Sequence, residues 1–276
     1  MILHEIKDLI LVSFSGGRTS AYMSKLMLDK YPREKLVFVF ANTGQEHPKT
    51  LEFIQKVDEH FKLALVWVEA VVHSVPKYAT THRIVNFESA TRDMSLFKAI
   101  SYKYGIPGPG WFHCTRELKE QPIHSFIRLE YKKKKMKGYK TAIGIRADEI
   151  DRCSPNMDER GFIYPLCDAG ITKQDVLNFW EAQPFDLEIP DYLGNCTWCW
   201  KKSNRKLKLV ADKHPEYFIP AKELEPLAKC GAGSEPRKMF RGHLSATDII
   251  NDIKQISFSE DTIEGSCAES CEPFNA

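Results

Sequence analysis

What this sequence lacks first is charge of one sign. Its 39 basic and 37 acidic side chains leave a formal charge of +2. That is too little to single out a polyanion as partner, so any nucleic-acid argument must rest on local patches. Long hydrophobic runs are missing too. No segment approaches the roughly 20 apolar residues that span a bilayer, and Met1-Ile2-Leu3-His4-Glu5 has no basic-then-apolar signal layout. A cytoplasmic protein without membrane contact is the expectation. No G-x-x-x-x-G-K-[ST] string follows a strand pattern, which argues against a P-loop kinase or GTPase. There is no internal repeat. The 276 residues, 43% apolar and 28% charged, suffice for one large core or one core with a smaller lobe.

What is present begins at Leu9–Ser20, where an apolar run breaks into Ser15-Gly16-Gly17-Arg18-Thr19-Ser20 and then turns helical. Adjacent glycines let the backbone approach a bound group without Cβ interference. The N–H groups opening the next helix, aided by its dipole, make an anion site. Ser15, Thr19 and Ser20 add hydroxyls and Arg18 adds a fixed charge. The stretch reads as a phosphate cradle, with a plain strand–turn–helix connection as the simpler alternative.

Strand-like Leu9–Ser15, Leu36–Ala41 and Leu63–Val72 alternate with helical Ala21–Leu28 and a helix from about Lys49 to Phe61. Continuous apolar strands between amphipathic helices predict an α/β fold, Rossmann-like and doubly wound, with a mainly parallel sheet covered on both faces. Ligands in such sheets sit beyond the carboxyl ends of the strands, where Ser15–Ser20 and Asn42-Thr43-Gly44 fall. Val75–Gly110 reads as a long substrate-facing excursion with at most one helix, near Leu96–Tyr104. Thr115–Tyr131 is helical, Thr141–Ile145 is a short strand, and Thr172 caps a helix over about Thr172–Glu181. Beyond Pro190 cysteines, tryptophans and basic residues gather. The expected division is a nucleotide-binding domain over 1–190 and a cysteine-rich, basic C-terminal region over 191–276.

The eight cysteines lie at 114, 153, 167, 196, 199, 230, 267 and 271. In a reducing compartment they suggest metal or redox chemistry more than a disulfide framework. Cys114 lies at the predicted start of a helix beside Arg116, a setting that favours thiolate. Cys196-Thr197-Trp198-Cys199 has the spacing at which two thiolates reach one metal or cluster. Zinc, a redox pair and plain burial all stay open. Cys153 and Cys167 have no paired spacing and read as packing residues.

Four segments in order, namely Ser15–Ser20, Gly144-Ile145-Arg146-Ala147-Asp148-Glu149, Ile163-Tyr164-Pro165-Leu166 with Asp175-Val176, and Gly194–Cys199, resemble the phosphoadenosine phosphosulfate (PAPS) reductase-like branch of the PP-loop ATP pyrophosphatases. The resemblance implies a PP-loop, adenine nucleotide α-hydrolase-like fold with a cysteine-rich C-terminal extension. It implies ATP, or a PAPS-like nucleotide, held through its phosphates by Ser15, Gly16, Gly17, Arg18, Thr19 and Ser20, with Gly144 beside them. Adenine would meet backbone groups of Ala41–Gly44. Ser15 and Arg146 would be catalytic, Arg146 because a planar guanidinium matches phosphate oxygens; a surface arginine paired with Asp148 or Glu149 is the alternative. Asp148, Glu149 and Asp151 are candidate partners for Mg²⁺. Relatives in DNA phosphorothioation carry a [4Fe–4S] cluster on comparable cysteines, and the resemblance thereby implies that cluster as cofactor, with sulfur transfer as second step, on Cys114, Cys196 and Cys199 with a fourth ligand from Cys230, Cys267 or Cys271, of which Cys271 is chosen.

The reductases' C-terminal Glu-Cys-Gly-(Leu/Ile)-His is not found. Lys229-Cys230-Gly231-Ala232 and Glu269-Ser270-Cys271-Glu272 are the nearest strings. Adenylation of an acceptor with pyrophosphate release is accordingly preferred to sulfonucleotide reduction or to a non-catalytic accessory subunit. Lys132–Lys135 with Lys137 and Lys140, and Lys201, Lys202, Arg205, Lys206 and Lys208 beside Trp198 and Trp200, are the basic patches. The second set would track a tRNA or DNA acceptor, with an aromatic for stacking. Partner protein subunits are a further expectation of the branch.

Overall fold

A computed structural model describes residues 9–75, 77–132, 138–228, 236–252 and 274. Six strands form one sheet: β1 (Leu9–Phe14), β2 (Leu36–Ala41), β3 (Val66–Val71), β4 (Thr81–Val85), β5 (Tyr139–Ala142) and β6 (Phe162–Ile163). The principal helices are α1 (Arg18–Lys30), α2 (Pro48–Phe61), α3 (Ser95–Tyr104), α4 (Gln121–Lys132), α5 (Lys173–Glu181) and α6 (Asn204–Lys213). β1 and β2 are buried at every position, which is why their sequences run apolar without alternation. Ile10, Val12, Phe14, Phe38 and Phe40 pack on one face with Met23 and Met27 of α1 and Phe53, Ile54 and Val57 of α2. Leu9, Leu11, Val37 and Val39 pack on the other face with Ile123, Phe126 and Ile127 of α4. The first of these clusters runs on through Trp198, Leu207, Val210 and Phe218. Among the described residues no helix is long and apolar enough to cross a membrane.

The strand order is β4-β3-β2-β1-β5-β6, parallel throughout except for the β3–β4 pair. The chain thus moves outward from β1 through β2 to β3, then returns to β1's other side as β5. The order reverses there, at the carboxyl ends of β1 and β5, the place where doubly wound sheets bind ligands.

Three elements differ from the sequence expectation. The Val75–Gly110 excursion holds α3 as expected, but also β4, antiparallel on β3; Thr-His-Arg-Ile-Val is too polar to read as a strand because it lies on an open edge. β5 ends at Ala142 rather than Ile145, so Ile143–Arg146 are loop. Arg116–Glu120 forms a π-turn before α4, a widening that often marks functional sites. Thr172 caps α5 as expected, in a reciprocal capping box with Asp175.

Glu69, fully buried on β3, holds the β2 end and the sheet edge together. Its Oε1 accepts from Asn42 Nδ2 and Thr91 N, both at 2.6 Å. Its Oε2 accepts from Arg83 Nη2 at 2.6 Å and Thr91 Oγ1 at 2.9 Å. Removing a buried carboxylate strands its donors. Glu69→Ala is expected to lower stability by about 2–4 kcal/mol in urea unfolding; an unchanged midpoint would show that the network does not hold the edge.

Candidate active site

Two loops meet beyond the carboxyl ends of β1 and β5. The first follows β1. Gly16 sits at φ +88°, and a Cβ there would come within 2.9 Å of Ile54 Cδ1, so only glycine fits without strain. Gly17 caps α1 without a side-chain hydrogen bond. The Ser15 N–H donates to Ser20 Oγ (3.1 Å), Ser15 Oγ lies 2.9 Å from the same oxygen, and Ser20 Oγ lies 3.1 Å from Gly17 O. The hydroxyls draw the loop into a closed turn.

Arg18 goes elsewhere. Its fork pairs with Asp186 (Nε–Oδ1 2.7 Å, Nη2–Oδ2 2.8 Å), and its carbonyl accepts Trp180 Nε1–H at 3.0 Å. In this arrangement Arg18 ties the loop to the segment after α5, and its charge is met by a carboxylate.

The second loop follows β5. Gly144 lies against Ser20; a Cβ on it would be 3.3 Å from Ser20 Cα. Arg146 follows, with only 4% of its side chain exposed. Its Nη1 donates to Thr19 Oγ1 at 3.2 Å, its Nε to Asp148 Oδ1 at 3.0 Å, and its Nη2 lies 3.4 Å from Glu149 Oε2. Arg146 does pair with the neighbouring carboxylates, but inside the protein and reaching the first loop, not on the surface. Partial burial pushes the Asp148 carboxyl up; the Arg146 hydrogen bond and charge outweigh it and hold Asp148 below the usual carboxylate range. Glu149 also takes Arg152, and Asp151 is exposed.

A third loop, after β2, completes the rim. The Asn42 side chain is committed to Glu69 and to Thr91 O (2.9 Å), and Thr43 Oγ1 donates to Glu46 Oε1 at 2.7 Å. Gly44, at φ +81°, passes so close to Asp93 O that a Cβ would meet it at 2.6 Å. Beside this loop opens a cavity of about 530 Å³ lined by Gly44, Glu46, Arg92, Asp93, Lys98 and Thr197 among others.

The Cys-x-x-C lies on the same rim. Cys196 bridges Glu46, the Thr197 N–H donates to Gln45 O (3.2 Å), and Trp198 Nε1 donates to Gln45 Oε1 (2.8 Å). Cys199 N–H turns back onto Cys196 O at 3.0 Å. Burial drives the Cys196 thiol well up, with the Glu46 carboxylate and Cys199 pushing the same way. Cys114 lies two residues before the π-turn, and Lys201 Nζ joins its neighbour Thr115 Oγ1 (3.2 Å) to the segment after Cys199. Among the described residues no three His, Cys, Asp or Glu side chains are gathered closely enough to hold a metal ion. Cys271, Cys230 and Cys267 lie outside the described residues, as do Lys133, Lys134, Lys135 and Lys137.

The stacking surface expected at Trp198 and Trp200 is not there. Both rings are buried, at 1% and 4% exposure, and Lys202 is buried with its Nζ on Gly194 O. Sequence reasoning also passed over Glu69, Gln45, Glu46 and Asp186. A buried acidic residue inside an apolar strand (Val-Glu-Ala-Val) was the available signal for Glu69; the others carry none. Cys196 is expected to resist an aromatic disulfide reagent at pH 8 in the native state and to react promptly in urea; fast native labelling of Cys196, located by peptide mass, would refute its packing on Thr43–Glu46.

A profile of the phosphoadenosine phosphosulfate reductase domain matches residues 9–154, from the start of β1 to just past the Arg146 loop. The chain is 33% identical over 279 aligned positions to the "Uncharacterized nin region protein ORF290" of Escherichia phage lambda, covering 95% of this chain and 94% of that protein. It is 25% identical over 127 residues to the "Uncharacterized protein MJ0066" of Methanocaldococcus jannaschii, covering 46% of this chain but 21% of that protein. The matched stretch holds the Ser15–Ser20 loop, the β2 rim and Arg146, and the chain belongs to the phosphoadenosine phosphosulfate reductase domain family, in the nucleotide-binding PP-loop lineage.

Proposed function

We propose that the protein binds ATP at the carboxyl ends of β1 and β5 and transfers its adenylyl group to an acceptor. The observation that carries this reading is Arg146, a buried guanidinium hydrogen-bonded to Thr19 on the opposing loop. A cation fixed between two glycine-containing turns, away from water, suits charge building on phosphate oxygens. An acceptor oxygen attacks the α-phosphorus, the bond from that phosphorus to the α–β bridging oxygen breaks, and pyrophosphate leaves with the electron pair. Ser15–Ser20 hold the leaving group and Arg146 meets the α-phosphate. Asp148, Glu149 and Asp151 are the carboxylates that would help hold a Mg²⁺ accompanying the nucleotide, and the ion would offset phosphate charge.

Sulfur transfer is the second half of the proposal. It draws on Cys114, Cys196 and Cys199 with Cys271, whose thiolates would hold a [4Fe–4S] cluster or Zn²⁺. Among the described residues the cysteines do not form a metal centre by themselves. The family match favours one other reading, sulfite release from a PAPS-type nucleotide with a thiol donor.

Arg146→Lys keeps the charge and removes the fork. ATP affinity is expected to fall about tenfold or more, equivalent to about 1.4 kcal/mol, by calorimetry. Pyrophosphate release in the presence of tRNA, DNA or small acceptors is expected to fall about 10²-fold in Ser15→Ala and Arg146→Lys. Sulfite from a PAPS-type substrate without pyrophosphate from ATP would replace adenylyl transfer by reduction; ATP binding with neither product would leave an accessory subunit.

A further inference from the structure

Cys153 and Cys167 are 14 residues apart with no motif spacing, yet their Sγ atoms lie 3.6 Å from each other. Cys153 closes the turn Ala147–Arg152, its N–H on Ile150 O at 3.0 Å, and Cys167 lies in the one-turn helix Pro165–Asp168. Both are only partly buried, so a small reagent can reach them. Cys167 Sγ–H is also directed at the Arg146 loop, toward Ile145 O at 3.2 Å and Arg146 O at 3.1 Å. The thiol pair therefore sits directly behind the residue that reaches Thr19.

We propose that Cys153 and Cys167 are a reversible dithiol–disulfide site whose oxidation by a small-molecule disulfide such as oxidised glutathione loosens the Arg146 loop. The sulfurs need close by only about 1.5 Å to reach the ~2.05 Å bond. Side-chain rotation supplies much of that movement, and it draws Cys167 away from the two carbonyls. The bond also removes the S–H that pointed at them. Neither carbonyl can recover that donor from the disulfide.

In the exchange, Cys153 thiolate attacks one sulfur of the oxidant and expels the first glutathione thiolate, which takes up a proton. Cys167 thiolate then attacks the Cys153 sulfur and expels the second. Two protein thiols are oxidised to one disulfide, one glutathione disulfide is reduced to two thiols, and the two protein protons end on those thiols. Burial, and next the adjoining Cys153, push Cys167 up to about 12; burial raises Cys153 as well, eased by its hydrogen bond with Cys167. Cys153 is accordingly the first attacker, and exchange is slow at neutral pH and quickens as pH rises.

The effect on ATP rests on the nucleotide reading above; the disulfide does not. The full-length protein is treated with oxidised glutathione, its remaining thiols are blocked with N-ethylmaleimide, and peptides are weighed. The expected product is a Cys153–Cys167 linked peptide two hydrogens lighter than the dithiol pair, reversed by dithiothreitol. Faster amide exchange over residues 144–149 and about fivefold weaker ATP binding should accompany it. Cys153→Ser keeps the Cys167 contacts, and its ATP affinity should not respond to the oxidant. The proposal is overturned if both thiols stay fully alkylatable, or if the link forms with unchanged amide exchange. Should reduced protein not bind ATP at all, the nucleotide reading fails, while the linked peptide and amide exchange still decide the thiol site.

Discussion

Burying a guanidinium is costly, because its hydration must be replaced donor by donor. Arg146 meets that demand with Thr19 from the turn after β1 and with Asp148 and Glu149 from its own loop. The consequence is geometric. The two loops flanking the point where strand order reverses are held at one separation by a charge that cannot withdraw to solvent. Gly144 permits the same approach from the backbone side, lying against Ser20 where any side chain would intrude. A preorganised cation of this kind needs little rearrangement when an anion enters, which is the condition under which electrostatic stabilisation is strongest.

Around this pair, contacts distant in sequence set the rest of the rim. Asp186 holds Arg18, Trp180 caps the Arg18 carbonyl, and Trp198 reaches Gln45. The Cys-x-x-C is thus a wall of the β2 rim, and its tryptophan belongs to the core. Glu69 works from beneath, joining the β2 end, the edge strand and Thr91 through one carboxylate.

The central sheet was legible because β1 and β2 are buried on both faces and so read as unbroken apolar runs. The Ser15–Ser20 turn was legible because paired glycines after such a run break the strand into a tight turn, as Gly16 does at φ +88°. The capping box at Thr172 was legible for a local reason, a side chain bonding three residues on. What escaped depends on tertiary neighbours. β4 has a half-exposed edge and a polar sequence, so periodicity could not mark it. Arg18 looked available for phosphate because nothing local announces Asp186. Trp198, Trp200 and Lys202 looked like surface because aromatic and basic residues beside a turn carry no sign of burial. Cys153 and Cys167 looked unrelated because the parallel connection through β6 brings them together only in three dimensions.

The pairing of β1 with β5 also has a bearing on how the molecule is made. Leu9 finds its partner in Tyr139 only after β2, β3, β4 and the helices α1 to α4 have been synthesised. Until then one side of Leu9–Phe14, a fully buried strand at the middle of the sheet, is an unpaired edge able to recruit any extended chain. Long-range parallel pairing of this sort is slow to close. The β1–β5 junction is consequently among the last parts of the sheet to exist, and a nascent chain interrupted before residue 139 would carry the Ser15–Ser20 turn with no Arg146 loop to meet it.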